Sequence, residues 1–156
     1  MPSDSIITDS AAAATAIACG ELTRNGMLGI TPDGRRLESV AEFAKKRGMK
    51  VGMITSVAIA HATPAGFYAH RKSRGQSYAI GLDLIASGFD YFAGAGIFGR
   101  QNDKKSPDYR GNLFELAVKA GYRMAFSRAE WEKLEPGAKT WSVFGSSSIG
   151  FDIDAD

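Results

Sequence analysis

Apolar residues recur at helical spacing in three stretches of the chain, and each stretch stops at a glycine that precedes a short apolar run. The first stripe covers residues 37–44 at positions i, i+3, i+4 and i+7, ends at Gly48 and leads into a predicted strand over residues 51–57. The same order of helix, glycine and strand recurs over 77–87, Gly88 and 89–93, and over 113–120, Gly121 and 122–126.

This alternation of helices and strands is typical of α/β proteins, in which a mostly parallel sheet carries helices on its faces. We therefore predict a three-layer α/β sandwich. Residues 140–145 add a further strand, and an alanine-rich helix covers residues 11–19 after only a stub of strand at 5–8. Because no closing helix follows the last strand, both ends of the pattern look cut, and residues 1–156 are predicted to form one incomplete domain. The polar segment 99–107 is expected to be the most mobile loop.

Size and charge narrow the range of functions. The chain has 156 residues, 44% of them hydrophobic, which is enough for one core. A formal charge of +2 is too small for a nucleic-acid groove or a membrane-seeking surface, so neither partner is expected. Cys19 is the single cysteine, so no internal disulfide can form. The sequence also contains no apolar run long enough for a membrane span and no signal peptide at its start.

The first candidate for chemistry is the pair Asp9-Ser10, which stands directly before the alanine-rich helix. A helix N-terminus has unpaired N–H groups and a positive dipole end, so Ser10 lies where an oxyanion or a phosphate is stabilised. Capping of the helix by Asp9 or Ser10 is the commoner role of such a pair. The local pattern alone leaves both interpretations open, with capping favoured.

A second candidate follows the strand at 51–57, at the carboxyl end where open α/β sheets bind ligands. Here His61 and Thr63 are spaced to point the same way, and Pro64 suits the first turn of a short helix. Arg71, Lys72 and Arg74 follow and supply positive charge. The structural alternative is a helix with Thr63 as its N-cap and a solvated basic end. Since His61 and His70 are the only histidines, a zinc site made of histidines alone is excluded within this chain.

A third pattern, Gly94-Ala95-Gly96-Ile97-Phe98-Gly99, matches the glycine spacing of dinucleotide-binding loops. A polar loop follows it, where such sites need a helix, and no acidic residue ends a strand about twenty positions later. A nicotinamide or flavin site is therefore not expected.

The motifs TDSAAAATA at residues 8–16, ACGELTRNGMLGITPDG at 18–34, HATPAGFYAH at 61–70 and SR at 73–74 together resemble the alkaline phosphatase family in order and spacing. The resemblance covers about residues 6–74 and continues more weakly to the end. It implies a phosphomonoester hydrolase in which Ser10 forms a phosphoserine intermediate. It also implies that Arg74 grips two phosphate oxygens and that Asp9 orients this arginine.

The same resemblance implies zinc and magnesium as cofactors, with Ser10, Thr63 and His61 as the metal ligands present here. His61 occupies a position that is Asp in some relatives and His in others, so the metal bound beside it is left open. The family's first-strand Asp and its later Asp-, Glu- and His-rich half have no counterpart in the chain. These residues alone are therefore expected to be inactive.

For the intact parent, the resemblance implies a phosphate monoester substrate, a homodimer, and a periplasmic or extracellular location. A competing interpretation from another class is a non-catalytic phosphate-binding α/β module. Such a module would use the helix N-terminus at Ser10 together with Arg74, and activity would distinguish it from the enzyme.

Overall fold

A computed structural model describes residues 2–98 and 107–150. Its helices are α1 (Ser10–Cys19), α2 (Val40–Lys46), α3 (Ala62–Ala65), α4 (Ser77–Ser87), α5 (Leu113–Lys119) and α6 (Arg128–Trp131). Its strands are β1 (Gly52–Ala58), β2 (Tyr91–Ala95), β3 (Arg123–Ala125) and β4 (Thr140–Val143). The predicted mobile loop at 99–107, apart from Pro107, and the chain end at 151–156 lie outside the described residues.

The four strands form one parallel sheet in the order β1-β2-β4-β3. The strands predicted at 51–57, 89–93, 122–126 and 140–145 are present, and the predicted α/β class with a parallel sheet is confirmed. The predicted stub of strand at 5–8 is absent, and the Ile7 carbonyl there accepts from the Asn25 side chain in place of a strand partner. The register aligns Met53 with Phe92, Phe92 with Trp141, and Trp141 with Met124, so these four side chains share one face of the sheet.

An aromatic core covers that face. Phe92 and Trp141 are fully buried, and Tyr68 and Phe114 pack edge-on against them, with ring centroids 5.5 and 5.2 Å apart respectively. Such pairs add to the free energy gained by burial. On the opposite face, Ile54 of β1 is 76% exposed. The side chain of Ile54 is thus open to solvent on the face opposite the aromatic core.

Glycines end the helices where the sequence predicts, because only glycine adopts positive φ at low cost. Gly48 after α2 has φ 78°, and Gly88, which caps α4, has φ 65°. The start of α2 is fixed by a capping box, in which the Ser39 side chain accepts from the N–H of Glu42 and the Glu42 carboxylate accepts from the N–H of Ser39.

Three further local features differ from the sequence prediction. Strand β2 begins at Tyr91, not at Phe89. The Asp90 carboxylate accepts from the N–H of Val51, and the regular pairing with β1 starts after it, at Tyr91 and Gly52. The N-cap of α3 is His61, and Thr63 is the second residue inside that helix. The short helix α6 was not predicted, because it has no buried residue and so leaves no apolar periodicity in the sequence.

Candidate active site

The carboxylate of Asp9 joins the start of α1 to two other segments. As N-cap of the helix, its Oδ1 accepts from the N–H of Ala12 at 2.9 Å. Its Oδ2 accepts from the N–H of Gly26 and from Nη1 of Arg74, both at 3.1 Å. The two roles weighed from sequence, helix capping and pairing with arginine, are therefore performed by the two oxygens of one side chain.

These contacts also set the charge of Asp9. Partial burial opposes ionisation, but hydrogen bonds from the backbone N–H groups of Ala12 and Gly26 and from Arg74 outweigh it and lower the pKa of Asp9 below its ordinary value. The side chains of Arg74 and Asp9 are 34% and 27% exposed. The site therefore holds a charged pair that is open to solvent on one side.

Arg74 is held at both its backbone and its side chain. Its N–H donates to the carbonyl of Gly26 at 2.7 Å, while Nη2 lies 3.4 Å from Nε2 of His61. A guanidinium carries five N–H donors in a planar fork. The contacts made with Asp9 and His61 leave N–H groups of Arg74 without a partner among residues 2–98 and 107–150.

Ser10 is the first residue of α1 and follows Asp9 directly, so it stands beside the carboxylate that holds Arg74. It is half-buried, and its side chain makes no hydrogen bond within the described part of the chain. The neighbouring Ala11 and Ala12 are buried and small, which keeps the first turn of the helix uncrowded. The structure thus brings Ser10, Asp9 and Arg74 together, as the sequence predicts.

Helix α3 brings His61 and Thr63 to the same region because it packs closely on α1. Gly66 lies so near Ala14 that a Cβ at position 66 would stand 2.6 Å from the Cβ of Ala14. His61 precedes α3 at the carboxyl end of β1 and reaches Arg74, while Thr63 is exposed.

The ring of His61 has one partner and one buried, unpartnered nitrogen. Nε2 faces Arg74, and Nδ1 is buried without a hydrogen bond in the described structure. Burial, with the nearby Arg74 charge adding to it, lowers the pKa of His61 below its ordinary value. A guanidinium only donates, so the contact with Arg74 requires the lone pair on Nε2 and places the proton of the neutral ring on Nδ1. The ring nitrogen that can bind a metal ion in this tautomer is Nε2.

The donors present fit part of a metal site but do not complete one. Ser10, Thr63 and His61 offer two hydroxyls and one imidazole nitrogen, whereas a zinc ion takes about four protein or water ligands. Within residues 2–98 and 107–150, no group of three or more His, Cys, Asp and Glu side chains is arranged to hold a metal ion.

The basic cluster predicted at residues 71–74 does not act as one unit. Arg71 turns away from the site into a bidentate pair with Asp83 of α4, at 2.8 and 2.7 Å, and also contacts Asp108. Its role is to tie the segment after α3 to α4. Of the cationic residues of that stretch described above, Arg74 is the one that reaches Asp9.

Sequence reasoning missed Asn25 and Gly26, which complete the surroundings of Asp9. The Asn25 side chain accepts from the N–H of Asp9 at 2.9 Å and donates to the carbonyl of Ile7, while Gly26 donates to the Asp9 carboxylate. The dipeptide Asn-Gly is a strong turn signal, and it could have marked this bend as a structured one.

Comparison with known proteins places these residues in context. The family model described as alkaline phosphatase matches residues 1–87. The repressible alkaline phosphatase of Saccharomyces cerevisiae is 32% identical, in a match that covers 99% of this chain and 31% of the yeast protein. Alkaline phosphatase 3 of Bacillus subtilis is 35% identical, with 95% and 32% covered. The chain thus spans about a third of the length of these curated relatives.

Solved structures agree. The alkaline phosphatase of the Antarctic bacterium TAB5 superposes with a TM-score of 0.87 at 26% identity, over 99% of this chain and 44% of that one. Two variants of the same enzyme, in which a histidine is replaced by Glu or Asp, contain Mg in a site called M3. Among the described residues here, no helix combines the length and apolar character that crossing a bilayer requires.

Proposed function

This chain belongs to the alkaline phosphatase family, and from that premise we propose that the protein containing it is a metal-dependent phosphomonoester hydrolase with a phosphoserine intermediate at Ser10. The observation that carries the proposal is the Asp9 carboxylate, which caps the helix starting at Ser10 and also holds Arg74. One side chain thereby fixes a serine at a helix N-terminus beside a guanidinium.

Arg74 is suited to bind the phosphoryl group. In phosphoryl transfer, the negative charge on the oxygens around phosphorus must be balanced by positive charge and hydrogen-bond donors. The planar guanidinium of arginine provides two parallel N–H donors for these oxygens. Asp9 occupies Nη1 from one side and leaves other N–H groups of the guanidinium to face a ligand. The N–H groups at the start of α1 add donors directed at the same charge.

In the proposed reaction, Oγ of Ser10 forms a bond to phosphorus as the bond from phosphorus to the leaving alcohol oxygen breaks. The Ser10 hydroxyl loses its proton in this step, and the leaving oxygen gains one. Water then attacks phosphorus, the bond to Oγ breaks, and serine and inorganic phosphate are regenerated. Arg74 keeps the same phosphate oxygens paired in both steps, and Asp9 keeps Arg74 oriented.

We propose Zn²⁺ and Mg²⁺ as cofactors of the full-length protein, and the bound magnesium of the TAB5 variants supports a metal in this family. Ser10, Thr63 and His61 would each supply a donor atom, and for His61 this atom would be Nε2, which faces Arg74 in the structure. When bound, such metals lower the pKa of a serine or water oxygen and neutralise the leaving oxygen.

The remaining proposals concern the intact parent. Its substrate would be a phosphate monoester, its assembly a homodimer, and its location periplasmic or extracellular, as the family resemblance implies. We propose no nucleic-acid or membrane partner. We also propose that residues 1–156 alone are inactive, because the donors they supply do not complete a zinc site.

A non-catalytic phosphate-binding module is the second candidate. The incomplete metal site within the described residues favours it for this chain by itself. The two candidates differ in turnover: a binding module takes up inorganic phosphate at Arg74 without hydrolysing any ester.

The test is hydrolysis of p-nitrophenyl phosphate at alkaline pH by the full-length protein with zinc and magnesium. We expect turnover that is abolished by Ser10→Ala, while Ser73→Ala, which changes an exposed serine next to Arg74, retains it. Residues 1–156 with the same metals should show no turnover. Equal activity of Ser10→Ala and the unsubstituted protein would refute the assignment of the nucleophile.

A further inference from the structure

His70 lies outside the proposed active site, yet both of its ring nitrogens are engaged. Nδ1 lies 2.8 Å from the carbonyl oxygen of Gly29, and Nε2 lies 3.1 Å from Oε1 of Glu42. Its side chain is 12% exposed and that of Glu42 is 11% exposed. A buried imidazole therefore connects a turn that follows α1 to helix α2.

The chemistry of the two partners fixes which atom donates. A backbone carbonyl can only accept, so Nδ1 must carry a proton for this contact to exist. Glu42 is an acceptor as well. Burial opposes its ionisation, but hydrogen bonds from His70, the N–H of Ser39 and Arg36 lower the pKa of Glu42 to about 2.

The charges around His70 are already matched. Glu42 pairs with Arg36 at 2.6 Å, and Asp83 of α4 accepts from the backbone N–H of His70 and from Arg71. Lys45 and Lys46 line the same cavity of about 310 Å³ and pair with Asp90 and Glu38. The cavity therefore presents no uncompensated charge for a ligand, and the contacts of His70 with Gly29 and Glu42 are its distinctive feature.

The segment held by His70 carries the active-site contacts. We define the bracket as residues 26–29. At one end, Gly26 donates to Asp9 and accepts from the N–H of Arg74. In the middle, Leu28 forms a two-way backbone bridge with Arg71. At the other end, Gly29 donates to the buried hydroxyl of Thr15 in α1.

The bracket has little freedom at Gly29. This residue has φ +57°, and a Cβ there would stand 2.2 Å from the carbonyl oxygen of Ala69 and 2.7 Å from Nδ1 of His70. A displacement of Gly29 towards His70 is therefore blocked by contact, and a displacement away from it would break the hydrogen bond.

We infer that His70 is a positioning residue for Arg74 and Asp9. Its ring, with the proton on Nδ1, acts together with the Leu37 N–H, which donates to the same oxygen at 2.9 Å, to fix the Gly29 carbonyl. By linking that carbonyl to Glu42 of α2, His70 holds the bracket that orients both active-site side chains. The effect on catalysis rests on the proposed function, whereas the effect on Asp9 does not.

The first experiment follows amide hydrogen exchange in the 156-residue chain by NMR. If the bracket shifts, the N–H of Gly26 loses the Asp9 carboxylate and the N–H of Arg74 loses the Gly26 carbonyl. His70→Ala should therefore speed exchange at these two amides by about tenfold relative to the amides of the sheet. Leu113→Ala, which opens a cavity in the core at α5, should leave this ratio unchanged.

Unchanged exchange at the amides of Gly26 and Arg74 in folded His70→Ala would overturn the inference. If His70→Ala does not fold, nitrogen NMR of the His70 ring in the unsubstituted chain tests the inference instead. The inference requires a proton on Nδ1 of His70. A ring with Nδ1 unprotonated rules the bracket contact out.

The second experiment is a double-mutant cycle in the full-length protein, with inorganic phosphate as the competitive inhibitor. His70→Ala should weaken phosphate inhibition by about tenfold when Arg74 is present and have no further effect in Arg74→Ala. Additive losses would show a general structural role and contradict positioning. An absence of phosphatase activity together with the expected faster exchange at Gly26 and Arg74 would refute the proposed function and leave the positioning role standing.

Discussion

At the scale of single residues, Asp9 combines two duties that sequence reasoning treats as competitors. Its two carboxylate oxygens point to different donors, one in the first turn of α1 and the others in Gly26 and Arg74. A short acidic side chain before a helix is therefore compatible with both a structural cap and a catalytic pair. Local pattern alone could not separate them, since the partner Arg74 lies 65 positions away in the chain.

Losing Arg74 should cost more catalysis than losing Asp9. Arg74→Ala removes a charge-assisted contact with the transition state. It should lower kcat/KM of the full-length protein at least a hundredfold, a loss of about 3 kcal/mol in transition-state stabilisation. Asp9→Asn keeps an oxygen for the helix cap but loses the charge that orients Arg74, so a loss of about tenfold is expected. Steady-state kinetics with p-nitrophenyl phosphate measures both.

Asp9→Ala provides the matched control for the cap. It should lose the same activity as Asp9→Asn and, in addition, about 1 kcal/mol of unfolding free energy, because the Ala12 N–H loses its acceptor. Full activity in Asp9→Asn would contradict the pairing of Asp9 with Arg74.

At the scale of elements, the close approach of α1 and α3 sets the width of the site. The alanine-rich sequence of α1 and Gly66 after α3 let the two backbones approach, since a Cβ added at position 66 would lie only 2.6 Å from that of Ala14. Gly66 has φ −57°, so alanine there would suffer from the contact and not from its backbone conformation.

Gly66→Ala should therefore force α1 and α3 apart. We expect a loss of about 1–3 kcal/mol in unfolding free energy, as for overpacking, measured by urea denaturation. Adding Ala14→Gly removes the facing Cβ and should recover part of that loss, although glycine in α1 has its own cost of about 1 kcal/mol. Gly150→Ala, where a Cβ meets nothing within 4 Å, is the control. Additive effects of the two helix substitutions would contradict the contact.

Much of the element order follows from the sequence because two signals are local: the apolar stripes of α4 and α5 and the glycines that stop them. The start of β2 was mispredicted because contacts from distant residues decide it. Phe89 is drawn into the core, and Asp90 is engaged by Lys45 and by Val51 from earlier elements. No local pattern contains that information.

At the scale of the whole molecule, β1 is an edge of the described sheet, and its outer edge is only partly covered. Residues 147–149 pair with its carboxyl end, where Ala58 donates to Ser147 and Ile149 donates to Ser56. The first half of the strand has no such cover among the described residues, and Ile54 there is 76% exposed. Apolar edge strands favour association between chains.

Ile54→Lys should therefore reduce self-association of the 156-residue chain while leaving its thermal unfolding midpoint within a few degrees, because an exposed side chain contributes little to the core. Sedimentation velocity at increasing concentration measures association. Ser56→Lys places the same charge on the same face without removing an apolar group, so it should have the smaller effect. Equal association of Ile54→Lys and the unsubstituted chain would show that this face is not responsible.

The residues of the proposed site were named from the sequence, but the contacts between them were not. Ser10, Asp9, Arg74 and His61 were identified through motifs that resemble one family, and the structure brings these residues together. The supporting residues Asn25, Gly26 and His70 were missed, because their roles consist of backbone contacts and of pairs far apart in sequence. Contacts of this kind produce no fixed residue spacing that a sequence motif could detect.

Everything proposed for the reaction depends on Ser10 carrying the phosphoryl group. The direct test is to quench the full-length protein with acid during turnover and to search its peptides for phosphate by mass spectrometry. We expect phosphate on the peptide that contains Ser10, and none after Ser10→Ala. Active protein that shows phosphate on a different residue, or turns over substrate with no phosphorylated peptide at any quench time, would contradict this role of Ser10.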